Sequence, residues 1–155
     1  MTASARSAFH GHGGTAQKAV RMFTFHREWP EAISVYMQGL NTPSRRDPQG
    51  AKAGWLSRSS EQPNRDVAFF DAMLAHLERE FRVDRTRVYA TGHSNGGGFT
   101  YLLWAERGDV LAAIAPSAIA PTLEPAKLKP KPVLHLAGRN DPLVAFERQE
   151  QTMKA

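Results

Sequence analysis

Gly92-His93-Ser94-Asn95-Gly96-Gly97-Gly98 stands between an apolar strand-like run and an apolar helix-like run. A serine hydroxyl at such a corner can attack an acyl carbon, provided a neighbouring base takes its proton. Gly-x-Ser-x-Gly alone is a weak signal, because glycine and serine are common in turns. The context is what makes it a nucleophile elbow. Arg87-Val88-Tyr89-Ala90-Thr91 has the β-branched and aromatic character of a buried strand. Phe99 and Tyr101 to Trp104 then run on to Arg107-Gly108, a basic last turn and a helix stop. Side chains at Gly92 or Gly96 would collide in so tight a turn. The turn lifts the Ser94 hydroxyl clear of the sheet and aims the backbone N–H of Asn95 at negative charge developing beside it.

Two further stretches could share that chemistry. Phe9-His10-Gly11-His12-Gly13-Gly14-Thr15 is a Gly-rich turn feeding a segment from Ala16 to Phe23, which Thr15 can cap as a helix. Such a turn is a place for a second backbone N–H facing an oxyanion. The bland reading is a flexible N-terminal tail. Two histidines at i and i+2 with no third ligand in reach do not make a metal site. Gly138-Arg139-Asn140-Asp141-Pro142 follows a strand-like run, so Asp141 is a candidate orienting acid; its rival role is to open a turn. Asp109 is weaker, lying in a helix-to-strand turn at the opposite end of the sheet.

The elements that must position these groups alternate. Ile33–Met37, Leu111–Ala115 and Val133–Ala137 read as strands besides the elbow strand. Ser7-Ala8-Phe9 reads as too short for one, against a usual ~5–6 residues. From Asp66 to Arg82, Val67, Phe70, Leu74, Leu77 and Phe81 make one helix face, widened by Phe69 and Met73. Residues 38–63 are polar and rich in glycine, proline and arginine, a long loop of the kind that lines sites. Within it Trp55 either walls a substrate pocket or, more in keeping with a tryptophan, pins the loop to the core. Strands alternating with helices imply an α/β fold with a mostly parallel sheet, whose chemistry gathers at the carboxyl ends of its strands.

The 155 residues are one domain's worth of chain, 1–155. Hydrophobic residues make up 41%, enough for a core, and no stretch has the ~20 apolar residues of a membrane span. No apolar export signal opens the sequence. With no cysteine, disulfides and thiolate chemistry are excluded. The net charge of +5 is scattered rather than gathered on a face interleaved with aromatics, so nucleic-acid binding is not expected. The sequence carries no signal of oligomeric state.

Taken together, His10-Gly11-His12-Gly13-Gly14, the run from Arg87 to Gly97, and Gly138-Arg139-Asn140-Asp141-Pro142 resemble the polyhydroxybutyrate depolymerase and feruloyl esterase branch of the α/β-hydrolases. The resemblance implies a three-layer α/β-hydrolase sheet and ester hydrolysis through an acyl-enzyme. It makes Ser94 the nucleophile, Asp141 the acid, and the backbone N–H groups of His12 and Asn95 the oxyanion hole. It implies no cofactor, a small-molecule or polymeric ester as substrate, and an extracellular setting. The chain departs from the pattern at two points. The family's strands before the His-Gly turn are not evident, and its catalytic histidine, which follows the acid, has no counterpart between Pro142 and Ala155. The chain therefore reads as a hydrolase domain incomplete at both ends. A non-catalytic module that retains the scaffold is the alternative, and an acyltransferase using the same serine is a third.

Overall fold

The computed structural model describes residues 2–57 and 64–154. In chain order its elements are β1 (Ala3–Phe9), α1 (Ala16–Phe23), α2 (Phe25–Glu28), β2 (Ile33–Met37), β3 (Leu40–Asn41), β4 (Ala53–Gly54), α3 (Arg65–Glu80), β5 (Val83–His93), α4 (Asn95–Arg107), β6 (Ala113–Ser117) and α5 (Phe146–Lys154). Four strands form one sheet in the order β2-β1-β5-β6, every neighbouring pair parallel. With helices against it, this is the architecture that alternating strand and helix patterns predict. Strands β3 and β4 form a separate antiparallel pair inside the long loop, whose residues 58–63 lie outside the described ones.

The first strand corrects the sequence reading. The stretch before His10 is a seven-residue strand in the interior of the sheet, with Ala5–Phe9 paired to Ile33–Met37 on one side and to Val88–Gly92 on the other. Ser4 to Phe9 are all buried. Small alanine and serine side chains disguise the strand, because they carry little of the β-branched signal by which strands are recognised.

Two other strands shift. The run expected at 111–115 forms its ladder at Ala113–Ser117. Val133–Leu136 lies parallel beside β6 but joins it only through the bridges Ile114↔Val133 and Ser117↔Leu136. The N–H groups of Leu134 and Leu136 donate to the carbonyls of Ile114 and Pro116, each at 3.0 Å.

The main core lies between the sheet and helices α3 and α4, where Phe9, Val88 and Ile114 meet Phe70, Phe99 and Leu103. Helix α3 starts where Asn64 Oδ1 accepts from the N–H groups of Asp66 and Val67, each at 3.1 Å. It buries Val67, Phe70, Leu74 and Leu77 as its spacing predicts, but Phe69 and Phe81 are exposed and do not belong to the buried face. Arg107 at the end of α4 forks onto Asp71 of α3 at 2.8 and 2.7 Å. On the other face of the sheet, Arg6 reaches from β1 to the carbonyls of Phe25 and Trp29 at 3.1 and 2.7 Å and lies against both rings. Beyond Trp29 that face is an open apolar groove of about 430 Å³ over Tyr89, Ala113 and Leu134.

Candidate active site

The elbow is a strained corner between β5 and α4. Ser94 has φ 55° and ψ −119°, a conformation that L-residues adopt only when their surroundings hold it. The surroundings are glycine. A Cβ on Gly92 would lie 2.2 Å from the carbonyl oxygen of Gly96, and one on Gly96 would lie 2.3 Å from that of Phe9. The N–H of Ser94 donates to the carbonyl of Ser117 at 2.9 Å, which fastens the corner to the end of β6. Asn95 opens the helix, so its N–H has no intrahelical acceptor.

The Gly-rich turn after β1 runs directly past this corner. A Cβ on Gly11 would stand 3.6 Å from Ser94 Cβ. Thr15 caps α1 as expected, its Oγ1 accepting from the N–H of Lys18 at 3.2 Å. Gly11 to Gly14, Arg45, Asp47, His93, Ser94 and Asn95 line one cleft of about 970 Å³ at the carboxyl end of the sheet. Among the described residues, no hydrogen bond uses the backbone N–H of His12 or of Asn95. Two free donors of this kind beside a strained serine are what an oxyanion requires.

The side chains of these two residues have other work. His12 Nε2 lies 3.0 Å from Asp47 Oδ2. Asp47 accepts as well from the N–H groups of Ala51 and Lys52, and these donors, the Ala51 amide first, hold its carboxyl below the usual range. Asn95 clamps the main chain of Trp55, its Oδ1 accepting from the Trp55 N–H at 2.7 Å and its Nδ2 donating to the Trp55 carbonyl at 2.9 Å.

Asp141 sits in the turn after Val133–Leu136. Its Oδ1 accepts from the N–H groups of Leu143 at 2.8 Å and Val144 at 3.0 Å, and those donors, Val144 first, depress its pKa, with His93 adding to the effect. Leu143 lines the cleft. The carboxylate thus lies at the Ser94 end of the sheet, within electrostatic reach of the residue that precedes the serine.

Trp55 does not wall the cleft. It is 1% exposed, its ring stacked on Phe99 and its Nε1–H donating to the carbonyl of His10 at 2.9 Å.

Each of the six histidine rings is engaged away from the Ser94 hydroxyl. His10 Nε2 accepts from the N–H of Gly39 at 3.0 Å, which leaves the ring proton on Nδ1, 2.8 Å from the carbonyl of Gly11. Burial pushes the His10 pKa down. His93 Nδ1 meets Ser117 Oγ at 3.1 Å. His135 lies 2.7 Å from the Tyr101 hydroxyl and 3.1 Å from Gln149 Oε1, in a network where burial raises the Tyr101 pKa to about 12. His26 and His76 pair with Tyr36 and Arg79. Among the described residues no ring nitrogen is hydrogen-bonded to Ser94 Oγ, and no cluster of three or more His, Cys, Asp or Glu side chains could hold a metal ion. No helix among them is long and apolar enough to cross a membrane.

The sequence reading missed Asp47 and Ser117. Asp47 stands 35 residues from His12 in an aperiodic loop; its one local signal is the Asp-Pro turn.

The chain is similar to several known proteins. The chain is 33% identical over 147 residues to a Nocardia uniformis subsp. tsuyamanensis protein named as esterase NocK, across 89% of this chain and 40% of that one. It is 33% identical over 105 residues to feruloyl esterase D of Neurospora crassa, across 68% of this chain and 31% of the relative. It is 29% identical over 123 residues to the bifunctional acetylxylan esterase/xylanase XynS20E of Neocallimastix patriciarum, across 79% and 16%. The chain therefore spans less than half the length of each of these relatives. Among solved structures, SOBER1 of Arabidopsis thaliana shares the fold at a TM-score of 0.76 and 18% identity, over 99% of this chain and 82% of that one. The Bacillus cereus carboxylesterase shares it at 0.70 and 20%, over 98% and 72%. The fold is that of the α/β-hydrolase esterases. Residues 32–155 match the model of the dienelactone hydrolase family, and the chain belongs to that family.

Proposed function

We propose that this chain carries the acyl-transfer centre of a serine carboxylic-ester hydrolase. Ser94 is the nucleophile, Asp141 the orienting acid of the triad, and the backbone N–H groups of His12 and Asn95 the oxyanion hole. The observation that supports this best is the Ser94 corner, at φ 55°, opening into the same cleft as the turn from Gly11 to Gly14. In the reaction Ser94 Oγ bonds to the ester carbonyl carbon as its proton passes to a base. The carbonyl oxygen takes up the negative charge facing the two amides, and collapse expels the alcohol. Water then attacks the acyl-serine in the same geometry and releases the acid.

Relatives named for feruloyl and acetylxylan esters favour an acyl group borne on a carbohydrate as substrate, with a hydroxybutyrate polyester as the other candidate. Either would be met outside the cell. Hydrolysis of 4-nitrophenyl acetate and butyrate tests the mechanism: Ser94→Ala is expected to abolish it, and an unaffected rate refutes the assignment. Ferulate released from methyl ferulate, set against 3-hydroxybutyrate released from its polymer, separates the two substrates.

One observation favours a second reading. With no histidine on its hydroxyl, Ser94 lacks the partner that makes serine a fast nucleophile, and removal of one triad member leaves only the rate that binding and the oxyanion donors supply. The chain by itself would then bind esters with little turnover. Labelling of Ser94 by a fluorophosphonate at an ordinary esterase rate would exclude that reading.

A further inference from the structure

Gly54 and Trp55, at the end of the short strand β4, lie between the two residues whose amides are assigned to the oxyanion, and they touch both sides. Toward α4, the Asn95 side chain grips the main chain of Trp55 through its oxygen and its nitrogen, at 2.7 and 2.9 Å. Toward the Gly-rich turn, the Trp55 indole donates to the carbonyl of His10 at 2.9 Å, two residues before His12. The carbonyl of Ala53 accepts from the N–H of Gly13 at 2.7 Å, one residue after His12. The turn is therefore tied to this strand on both sides of His12. Gly54 fills the remaining space: a Cβ there would lie 2.7 Å from His12 Nδ1 and 2.9 Å from Asn95 Oδ1. The indole cannot swing away, because it is buried against Phe99 and Phe9, each ring centroid 5.2 Å off.

We infer that Gly54 and Trp55 are positioning residues that set the spacing of the two oxyanion donors, without touching substrate themselves. One donor belongs to a loop after β1 and the other to a helix after β5, and the ladder that joins the two strands ends at the pair Phe9↔Gly92, three residues short of either donor. An oxyanion donor acts only within a few tenths of an ångström of its proper distance, so a gauge between the two elements has catalytic consequences. This consequence rests on the reading of Ser94, His12 and Asn95 given above; the gauge itself is a matter of geometry.

The test uses Trp55→Phe, which keeps an aromatic ring and deletes the indole donor, and Gly54→Ala, which puts a methyl between His12 and Asn95. Amide hydrogen exchange at Gly13 is expected to quicken by about tenfold in each, with Ala90 and Leu103 in the core at wild-type rates. The kcat for 4-nitrophenyl acetate is expected to fall by about tenfold or more, with KM within about twofold, because loss of one donor outright costs about 10²–10³. Unchanged exchange at Gly13 overturns the inference. So does a uniform rise at Gly13, Ala90 and Leu103, which would mark an ordinary structural role, or a local rise that leaves kcat untouched. If Trp55→Phe does not fold, Gly54→Ala decides alone. Hydrolysis indifferent to Ser94→Ala, with the Gly13 response intact, would instead refute the catalytic reading and leave the gauge standing.

Discussion

Gly96 and Gly98 lie two residues apart in α4, and alanine is expected to act on them in opposite directions. At Gly96 a Cβ would meet the carbonyl oxygens of Phe9 and His10 at 2.3 and 2.6 Å. These are backbone atoms that cannot rotate aside, so helix and strand must part by about 0.7 Å to restore a 3.0 Å contact. Overpacking of this kind costs about 1–3 kcal/mol, offset by the ~1 kcal/mol that alanine gains over glycine inside a helix. The expected result is a net loss of up to about 2 kcal/mol. At Gly98 the nearest atoms are Ser57 Cβ at 3.4 Å and two Ile119 carbons at 3.7 and 3.8 Å, ordinary contacts. There the helix term stands alone, and Gly98→Ala should stabilise by about 0.5–1 kcal/mol. Urea unfolding followed by tryptophan fluorescence reads both, since Trp55 is packed in the core. With a urea dependence of about 1–3 kcal/mol/M, the two midpoints should separate by roughly 1 M with the wild type between them. A Gly96→Ala midpoint at or above wild type, or a Gly98→Ala midpoint below it, refutes the reasoning.

Asp141 provides a pH test. Its folded pKa lies below its ordinary 3.8, so its stabilising contribution is present above that value and is lost as pH falls through the folded one. The difference in urea midpoint between wild type and Asp141→Asn should therefore shrink between pH 5 and pH 2.5; a constant difference contradicts the assignment. For His10 the direction is the same and the cause differs: burial disfavours the imidazolium, so stability is full above 6.5 and declines as pH falls toward the lower folded pKa. A proton NMR titration of its ring should give a value under 6.5, and one at or above it would contradict the hydrogen bond from Gly39. Asn64→Ala removes the cap of α3 and should cost about 1 kcal/mol in urea unfolding, with a cost near zero showing that the cap is dispensable.

What was legible in the sequence was local and periodic. The stripe Val67, Phe70, Leu74, Leu77 repeats at helical spacing, and that helix runs from Arg65 to Glu80. Thr15 announced its cap, and Ile33–Met37 its strand, because hydroxyl caps and β-branched runs are short-range signals. What failed depends on partners far away. Asp47 meets His12 across 35 residues and an aperiodic loop. Trp55 left two roles open, and only packing against Phe9 and Phe99 separates them. The end of α3 was overdrawn because Phe81 fits the stripe in spacing yet follows the last helical residue. Helix α5 went unnoticed: Phe146–Lys154 is mostly polar and shows no apolar stripe, and the buried Gln149 ties it to His135.

The small residues that disguise β1 and the glycines of the corner at Ser94 meet at one contact. Helix α4 crosses so close to the carboxyl end of β1 that Gly96 has no room for a side chain against Phe9 and His10. Such an approach needs a helix whose first turn is glycine. The strand beneath it is equally constrained, since Ser4, Ala5, Ser7 and Ala8 are all buried between neighbouring strands and helices. Glycine at a strand-to-helix corner is a recognised signature; alanine and serine in a strand are not. The same closeness sets the turn after β1 beside Ser94, with Gly11 only a van der Waals contact from its Cβ. A β1 rich in valine and isoleucine would have been easier to recognise. It would also have put branched side chains at Ala5 and Ala8, which are only 2% and 1% exposed, where overpacking is destabilising.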